Sequence, residues 1–158
     1  MHIADNMNPA QTATTQVAIK TYQDYYKHWM QNAGLEILAL PDAASKLQAV
    51  AHPLPLALLA YYHCAGNSTI NTAYNELLLP EDLYVEQEHL IFMHENQGVV
   101  DWGIRLQDLS QDDPLVWQRN NDDQAWYAED HQLSSFLMAC WYWTEFGEEK
   151  SVEFFKLS

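Results

Sequence analysis

The chain has 158 residues, of which 48% are hydrophobic and 13% aromatic, enough for one folded core and too few residues for two ordinary domains. Asp and Glu number 22 against 7 Lys and Arg, so the net charge at pH 7 is −15. This charge repels nucleic-acid phosphates and anionic membrane surfaces, and it favours a basic protein partner. We therefore expect no nucleic-acid and no membrane partner.

The N-terminal sixteen residues are polar and lack the basic and apolar regions of a secretory signal. We expect residues 1–16 to form a flexible leader and residues 17–158 a single domain in the cytoplasm. The two cysteines, Cys64 and Cys140, are too far apart for a CxxC motif, and we expect two buried thiols. The longest apolar stretch, residues 54–62, is about half the length of a membrane span.

Hydrophobic periodicity predicts helices in the first part of the chain, strands in the middle and a helix near the end. The predicted helices cover residues 17–34, 43–51, 56–64 and 133–144, with Ser134 and Ser135 as capping residues of the last one. The predicted strands cover residues 90–93, 100–106, 115–117, 125–127 and 152–157. This order predicts an α+β fold with N-terminal helices, a mainly antiparallel sheet and a C-terminal helix packed on it.

No motif indicates catalysis, a metal or a cofactor. His94-Glu95 begins like a zinc-binding HExxH motif, but Gly98 stands where the second histidine is required. No GxSxG, P-loop or GxGxxG sequence is present. We therefore expect a protein that is not an enzyme, with no cofactor. A hydrolase or small-ligand protein remains an alternative, in which four tryptophans line a pocket: Trp117, Trp126, Trp141 and Trp143.

Acidic residues are concentrated between residues 81 and 131, where thirteen carboxylates face two arginines and account for −11 of the total charge. They alternate with apolar strand positions or lie in turns, so we expect them to share the outer face and rim of the sheet. Such a surface either keeps the protein soluble or docks a basic protein. The candidate docking residues are Asp108, Asp112, Asp113, Asp122, Asp123, Glu129 and Asp130.

The segment from Phe92 to Ile104, FMHENQGVVDWGI, resembles the signature of the SUKH superfamily, which includes the yeast Smi/Knr cell-wall regulators and many bacterial immunity proteins. Weaker similarities follow in the family's order over about residues 40 to 145, among them Pro53-Leu54-Pro55, Asp113-Pro114-Leu115-Val116 and Leu133-Ser134-Ser135-Phe136-Leu137.

The signature residues suit structural roles. Gly98 permits a tight turn, in which Asn96 and Gln97 can bond backbone groups, and Trp102 and Gly103 suit close packing on the sheet. The motif residues are Glu95, Asn96, Gln97, Gly98, Trp102 and Gly103.

For a bacterial chain, the resemblance implies an immunity protein that binds and occludes a cognate toxin domain encoded by an adjacent gene. A cytoplasmic inhibitor implies a toxin that acts in the cytosol, and a basic, nuclease-like toxin matches the acidic surface. The alternative is a regulatory scaffold of the cell-wall-regulator type, which binds several cellular proteins.

Overall fold

Helices, strands and a last helix follow one another in the computed structural model, which describes residues 8–156. The helices are α1 (Pro9–Asn32), α2 (Ala43–Gln48), α3 (Leu56–Ala65) and α4 (Leu133–Phe146). The strands are β1 (Glu76–Leu77), β2 (Tyr84–Glu86), β3 (His89–His94), β4 (Val100–Arg105), β5 (Leu115–Asn120) and β6 (Trp126–Gln132). The predicted α+β fold, with α4 packed on an antiparallel sheet, is confirmed.

Helix α1 begins eight residues earlier than predicted. Asn8 caps it: its side chain accepts a hydrogen bond from the Gln11 backbone, and the Gln11 side chain accepts one from the Asn8 backbone. Pro9 at the first helical position is preorganised for a helix. Residues 9–16, which we expected to belong to the leader, are helical, and residues 1–7 lie outside the described residues. No helix of residues 8–156 has the length and apolar character to span a membrane.

The sheet is antiparallel throughout, in the order β1-β3-β4-β5-β6, and β2 pairs with the same edge of β3 as β1 does. The β2–β3 connection is a two-residue hairpin turn in which Gln87 and Glu88 both have positive φ, 51° and 61°. Asn and Gly are the usual residues of such a turn, and neither is present here. Sequence patterns therefore gave no signal for this hairpin.

One face of the sheet, called the helix face below, packs against the helices. Trp102 and Ile104 of β4 lie on it, and Phe92 of β3 contacts Phe136 of α4 with ring centroids 5.9 Å apart. Helix α1 joins the same core through Tyr26, which is fully buried and donates a hydrogen bond of 2.7 Å to the Ala57 carbonyl of α3. The core therefore lies between the sheet and α1, α3 and α4.

The strand predicted at residues 152–157 is wrong. Val152–Phe155 forms a 3₁₀ turn, and Leu157 lies outside the described residues. Phe155 is buried against Trp29 of α1, with ring centroids 5.4 Å apart, and its neighbour Phe154 packs on the same tryptophan. Two adjacent aromatic side chains can reach one tryptophan from a turn, whereas an extended strand would direct them to opposite sides.

The cap of α4 comes from a distant residue. The Asp113 carboxylate accepts hydrogen bonds from the Ser134 backbone N–H at 2.8 Å and from the Ser134 hydroxyl at 2.6 Å. Ser134 is thus the donor, and the prediction that it caps the helix itself is wrong. Burial raises the pKa of Asp113 above its ordinary value, although the hydrogen bonds from Ser134 oppose this shift.

We expect Asp113→Ala to lower the free energy of unfolding by about 1–2 kcal/mol, because α4 loses its N-terminal acceptor. Urea unfolding followed by circular dichroism measures this loss. Asp112→Ala removes the same charge from the exposed neighbouring position and is expected to change stability by less than about 0.5 kcal/mol. Equal losses in the two variants would contradict the capping role.

Candidate functional site

The seven candidate docking carboxylates do not form one surface. Asp122 and Asp123 are exposed at the tip of the β5–β6 hairpin. Glu129 and Asp130 belong to β6. Asp108, Asp112 and Asp113 lie in the segment between β4 and β5. The acidic residues do not all share the outer face and rim of the sheet, as we expected: Glu86 and Asp101 contact Arg119 on that face, whereas Glu129 lies on the helix face beside Trp102.

Of the seven carboxylates, Asp108 and Asp113 each make two polar contacts within the chain, and Asp123 and Glu129 each accept one hydrogen bond, from the Ala125 backbone and the Trp102 indole. Asp108 is 6% exposed and forms an ion pair of 2.9 Å with Arg105, and Gln111 donates a second hydrogen bond to it. Asp113 holds Ser134, as described above. Neither carboxylate is free to meet a cation of a partner, whereas Asp112, Asp122, Asp123 and Asp130 are exposed.

The signature turn between β3 and β4 depends on Gly98, whose φ is 73°. The Glu95 carboxylate accepts a hydrogen bond from the Val99 backbone, and Asn121 donates to the Gly98 carbonyl. Asn75 accepts one from the backbone N–H of residue 96. These neighbours supply the bonds that we expected from Asn96 and Gln97, whose side chains are exposed.

Gly103 permits close packing inside the sheet, as expected. A Cβ atom there would lie 3.0 Å from the Leu90 carbonyl oxygen and 3.2 Å from the Ile91 side chain. Trp102 lies on the helix face beside Phe136, with ring centroids 5.6 Å apart. Its indole N–H donates a hydrogen bond of 2.9 Å to Glu129 of β6, a contact that sequence patterns do not indicate.

The opposite face, called the outer face below, is organised around Arg119. This side chain is 4% exposed and contacts Asp101 at 2.7 Å and Glu86 at 3.2 Å. Burial alone would lower the pKa of Arg119, but the bonds to the two carboxylates outweigh it, and the pKa is raised. Asp101 and Arg119 lie opposite each other on β4 and β5, so the ion pair joins neighbouring strands.

Aromatic rings complete the outer face. His89 stacks flat on Trp126, with centroids 3.6 Å apart and planes at 4°, and Arg119 lies over the same indole. Arg105 lies 4.8 Å from the centre of Trp117. These stacked side chains cover the face of the sheet on which no helix packs among the described residues. Both arginines of the acid-rich segment therefore stabilise the fold through contacts with aromatic rings.

The four tryptophans proposed to line a pocket are in different places. Trp117 and Trp126 belong to the outer face, and Trp141 is 3% exposed in the core. Trp143 lies at the end of α4 and packs on Tyr74, with ring centroids 4.9 Å apart. The alternative of one tryptophan-lined pocket is therefore wrong.

An open groove of about 880 Å³ runs between the helix face, α4 and residues 149–153. Aromatic side chains form much of its wall, and carboxylates lie along it. The aromatic members are Tyr74, Trp102, Phe136 and Trp143, and the acidic members are Glu95, Glu129, Asp130, Glu149 and Glu153.

The groove has one lysine against its five carboxylates, and that lysine is engaged. Lys150 lies 5.1 Å from the ring centre of Phe154 and 3.2 Å from Glu148. Asp130 and Glu149 have no cation within 4 Å among residues 8–156. The groove therefore presents uncompensated negative charge beside apolar rings.

Sequence reasoning found Glu129 and Asp130 but missed the C-terminal side of the groove. Glu149 and Glu153 were visible as charges, yet no pattern indicated that the chain folds back there. The anchor is Phe155, whose partner Trp29 is more than a hundred residues away in the sequence.

Fold and groove together define an α+β domain with an acidic, aromatic-walled groove. Comparisons with protein-family models, with curated proteins and with solved structures give no match. Among residues 8–156, no group of three or more His, Cys, Asp or Glu side chains is placed to hold a metal ion.

We expect Asp101→Ala to lower the free energy of unfolding by roughly 3 kcal/mol, because it leaves a buried arginine with only its exposed carboxylate partner. Glu86→Ala removes that exposed partner, and we expect a loss below about 1 kcal/mol. Urea unfolding at neutral pH compares the two variants. A larger loss for Glu86→Ala would contradict the central place of the Asp101–Arg119 pair.

The outer face also predicts a pH dependence. Burial lowers the pKa of His89 below its ordinary value of 6.5; the Gln87 carbonyl and Glu88 oppose the shift, and Arg105 and Arg119 add to it. The unfolded chain therefore binds this proton more readily than the folded one. The stability due to neutral His89 is complete above pH 6.5 and is lost as the pH falls below that value.

We expect His89→Gln to unfold with a shallower pH dependence than the wild type between about pH 7 and pH 5. Urea titrations at several pH values measure the slope. An unchanged slope in His89→Gln would contradict the assignment.

Proposed function

We propose that this chain is a SUKH-type immunity protein of the cytoplasm, which binds and occludes a basic toxin domain and has no catalytic activity of its own. The observation that carries the proposal is the acidic groove, in which every carboxylate except that of Glu153 lacks a cation within 4 Å among residues 8–156. A basic partner would supply the missing charge, and the aromatic wall would supply apolar contact area.

The SUKH assignment is supported by the way the signature segment folds. Gly98 adopts the positive φ of a tight turn, and Gly103 lies where a side chain would press on the neighbouring strand. Trp102, the tryptophan of the signature, joins β4 to β6 through Glu129. Each of these residues has a structural role that matches its chemistry. This favours the interpretation that the signature residues form the framework of the fold and that other residues form the surface that binds a partner.

A tagged chain, purified from the organism that produces it, tests the proposal. We expect capture of one dominant basic protein, encoded by an adjacent gene, at about 50 mM salt, and weaker capture at about 500 mM salt, where screening shortens electrostatic attraction. The captured protein should be toxic when expressed alone and harmless when co-expressed with this chain. Capture of several unrelated cellular proteins would instead favour the regulatory scaffold.

Paired charge reversals locate the binding surface. Asp130→Lys/Glu149→Lys reverses two exposed carboxylates of the groove that have no cation partner among residues 8–156, and we expect affinity for the captured protein to fall at least about tenfold. Glu81→Lys/Asp122→Lys makes the same change in net charge at two exposed positions outside the groove lining, and we expect a fall of less than about threefold. Equal losses would show that net charge alone carries the binding.

A further inference from the structure

The groove contains one carboxylate that is held in place and still lacks a cation. Glu129 is partly buried on β6, and one of its carboxylate oxygens accepts the 2.9 Å hydrogen bond from the Trp102 indole. No lysine, arginine or histidine nitrogen lies within 4 Å of it among residues 8–156. A partly desolvated carboxylate gains most from a cation that binds at the remaining oxygen.

The surroundings of Glu129 select a particular kind of cation. Trp102 and Phe136 are neighbours in the groove wall, and the Trp143–Tyr74 pair is partly exposed along the same groove. A guanidinium is planar, binds a carboxylate through parallel hydrogen bonds and stacks on aromatic rings, whereas an ammonium is compact and strongly hydrated. An aromatic wall beside a fixed carboxylate therefore favours arginine over lysine.

Among residues 8–156 no cation fills the position. Arg105 and Arg119 are engaged on the outer face, and Lys150 contacts aromatic rings and Glu148. Lys156 pairs with Glu153 at 2.7 Å. A cation of another molecule would complement the charge of Glu129.

We infer that the groove binds an arginine-bearing segment of the partner protein, whose guanidinium pairs with Glu129 and stacks against the indole of Trp102. The inference rests on the proposed function, in that the toxin supplies the segment. It adds to that proposal the anchoring side chain and the two residues that recognise it. Trp102 would then both hold the carboxylate and contact the bound cation.

A peptide probe tests the anchor without the toxin. The peptide acetyl-Leu-Arg-Leu-amide is titrated into the ¹⁵N-labelled protein, and the six indole N–H signals are followed by NMR, with Trp102 assigned through Trp102→Phe. We expect the Trp102 signal to shift with saturation. The same peptide with citrulline, which keeps the shape of arginine but not its charge, should bind at least about tenfold more weakly. The affinity of the same peptide with lysine in place of arginine should lie between those of the arginine and citrulline peptides.

Glu129→Gln is the matched variant, because glutamine keeps an acceptor for the Trp102 indole and removes only the charge. We expect it to lose the preference for arginine over citrulline, while Asp122→Asn at the exposed hairpin tip retains the preference. Equal binding of the two peptides to the wild type, an unchanged preference in Glu129→Gln, or no shift of Trp102 at all would overturn the inference.

The same variant separates this inference from the proposed function. If a toxin is captured and Glu129→Gln binds it as tightly as the wild type does, the anchor is wrong and the immunity function stands. If the arginine peptide binds as described but the producing organism yields no toxin, the anchor stands and the immunity function is wrong.

Discussion

The buried ion pair between Arg119 and Asp101 is the interaction on which the rest of this structure depends. No helix among residues 8–156 packs on the outer face of the sheet, and the sheet covers that face with its own side chains around a guanidinium that is 4% exposed. Asp101 and Glu86 neutralise it, and the stacked rings of Trp126 and His89 cover it. Desolvating a charge is costly, so this layer depends above all on its buried carboxylate partner, Asp101.

The outer face also determines where negative charge remains. Between residues 81 and 131 the chain has only two cations, Arg105 and Arg119, and both are used on that face. Glu129, on the helix side of β6, has no cation within 4 Å among residues 8–156, and the C-terminal segment adds further acidic residues to the same groove. The groove is therefore acidic because both of these cations are engaged on the outer face, and not only because the chain contains many acidic residues.

Prediction from the sequence succeeded where the signal is local. The alternation from Val100 to Arg105 and the glycine at position 98 define a hairpin by period and turn chemistry alone. It failed where a residue's role depends on a distant partner. Whether Asp113 caps a helix or faces solvent depends on Ser134, twenty-one residues away, and the shape of the tail depends on a buried contact between Phe155 and Trp29. Periodicity contains no information about such contacts.

Trp102 shows why scaffold and contact roles are not separate in this fold. Its ring belongs to the packing between the sheet and α4, which is the structural role expected of a signature tryptophan. Its indole N–H donates a hydrogen bond to Glu129, two strands away, and so orients that carboxylate at the wall of the groove. A framework residue thus orients a carboxylate that has no cation partner among residues 8–156, the position at which we propose that an arginine binds. If the carboxylate at position 129 were replaced while the tryptophan was kept, the same framework would present a different group to a different partner.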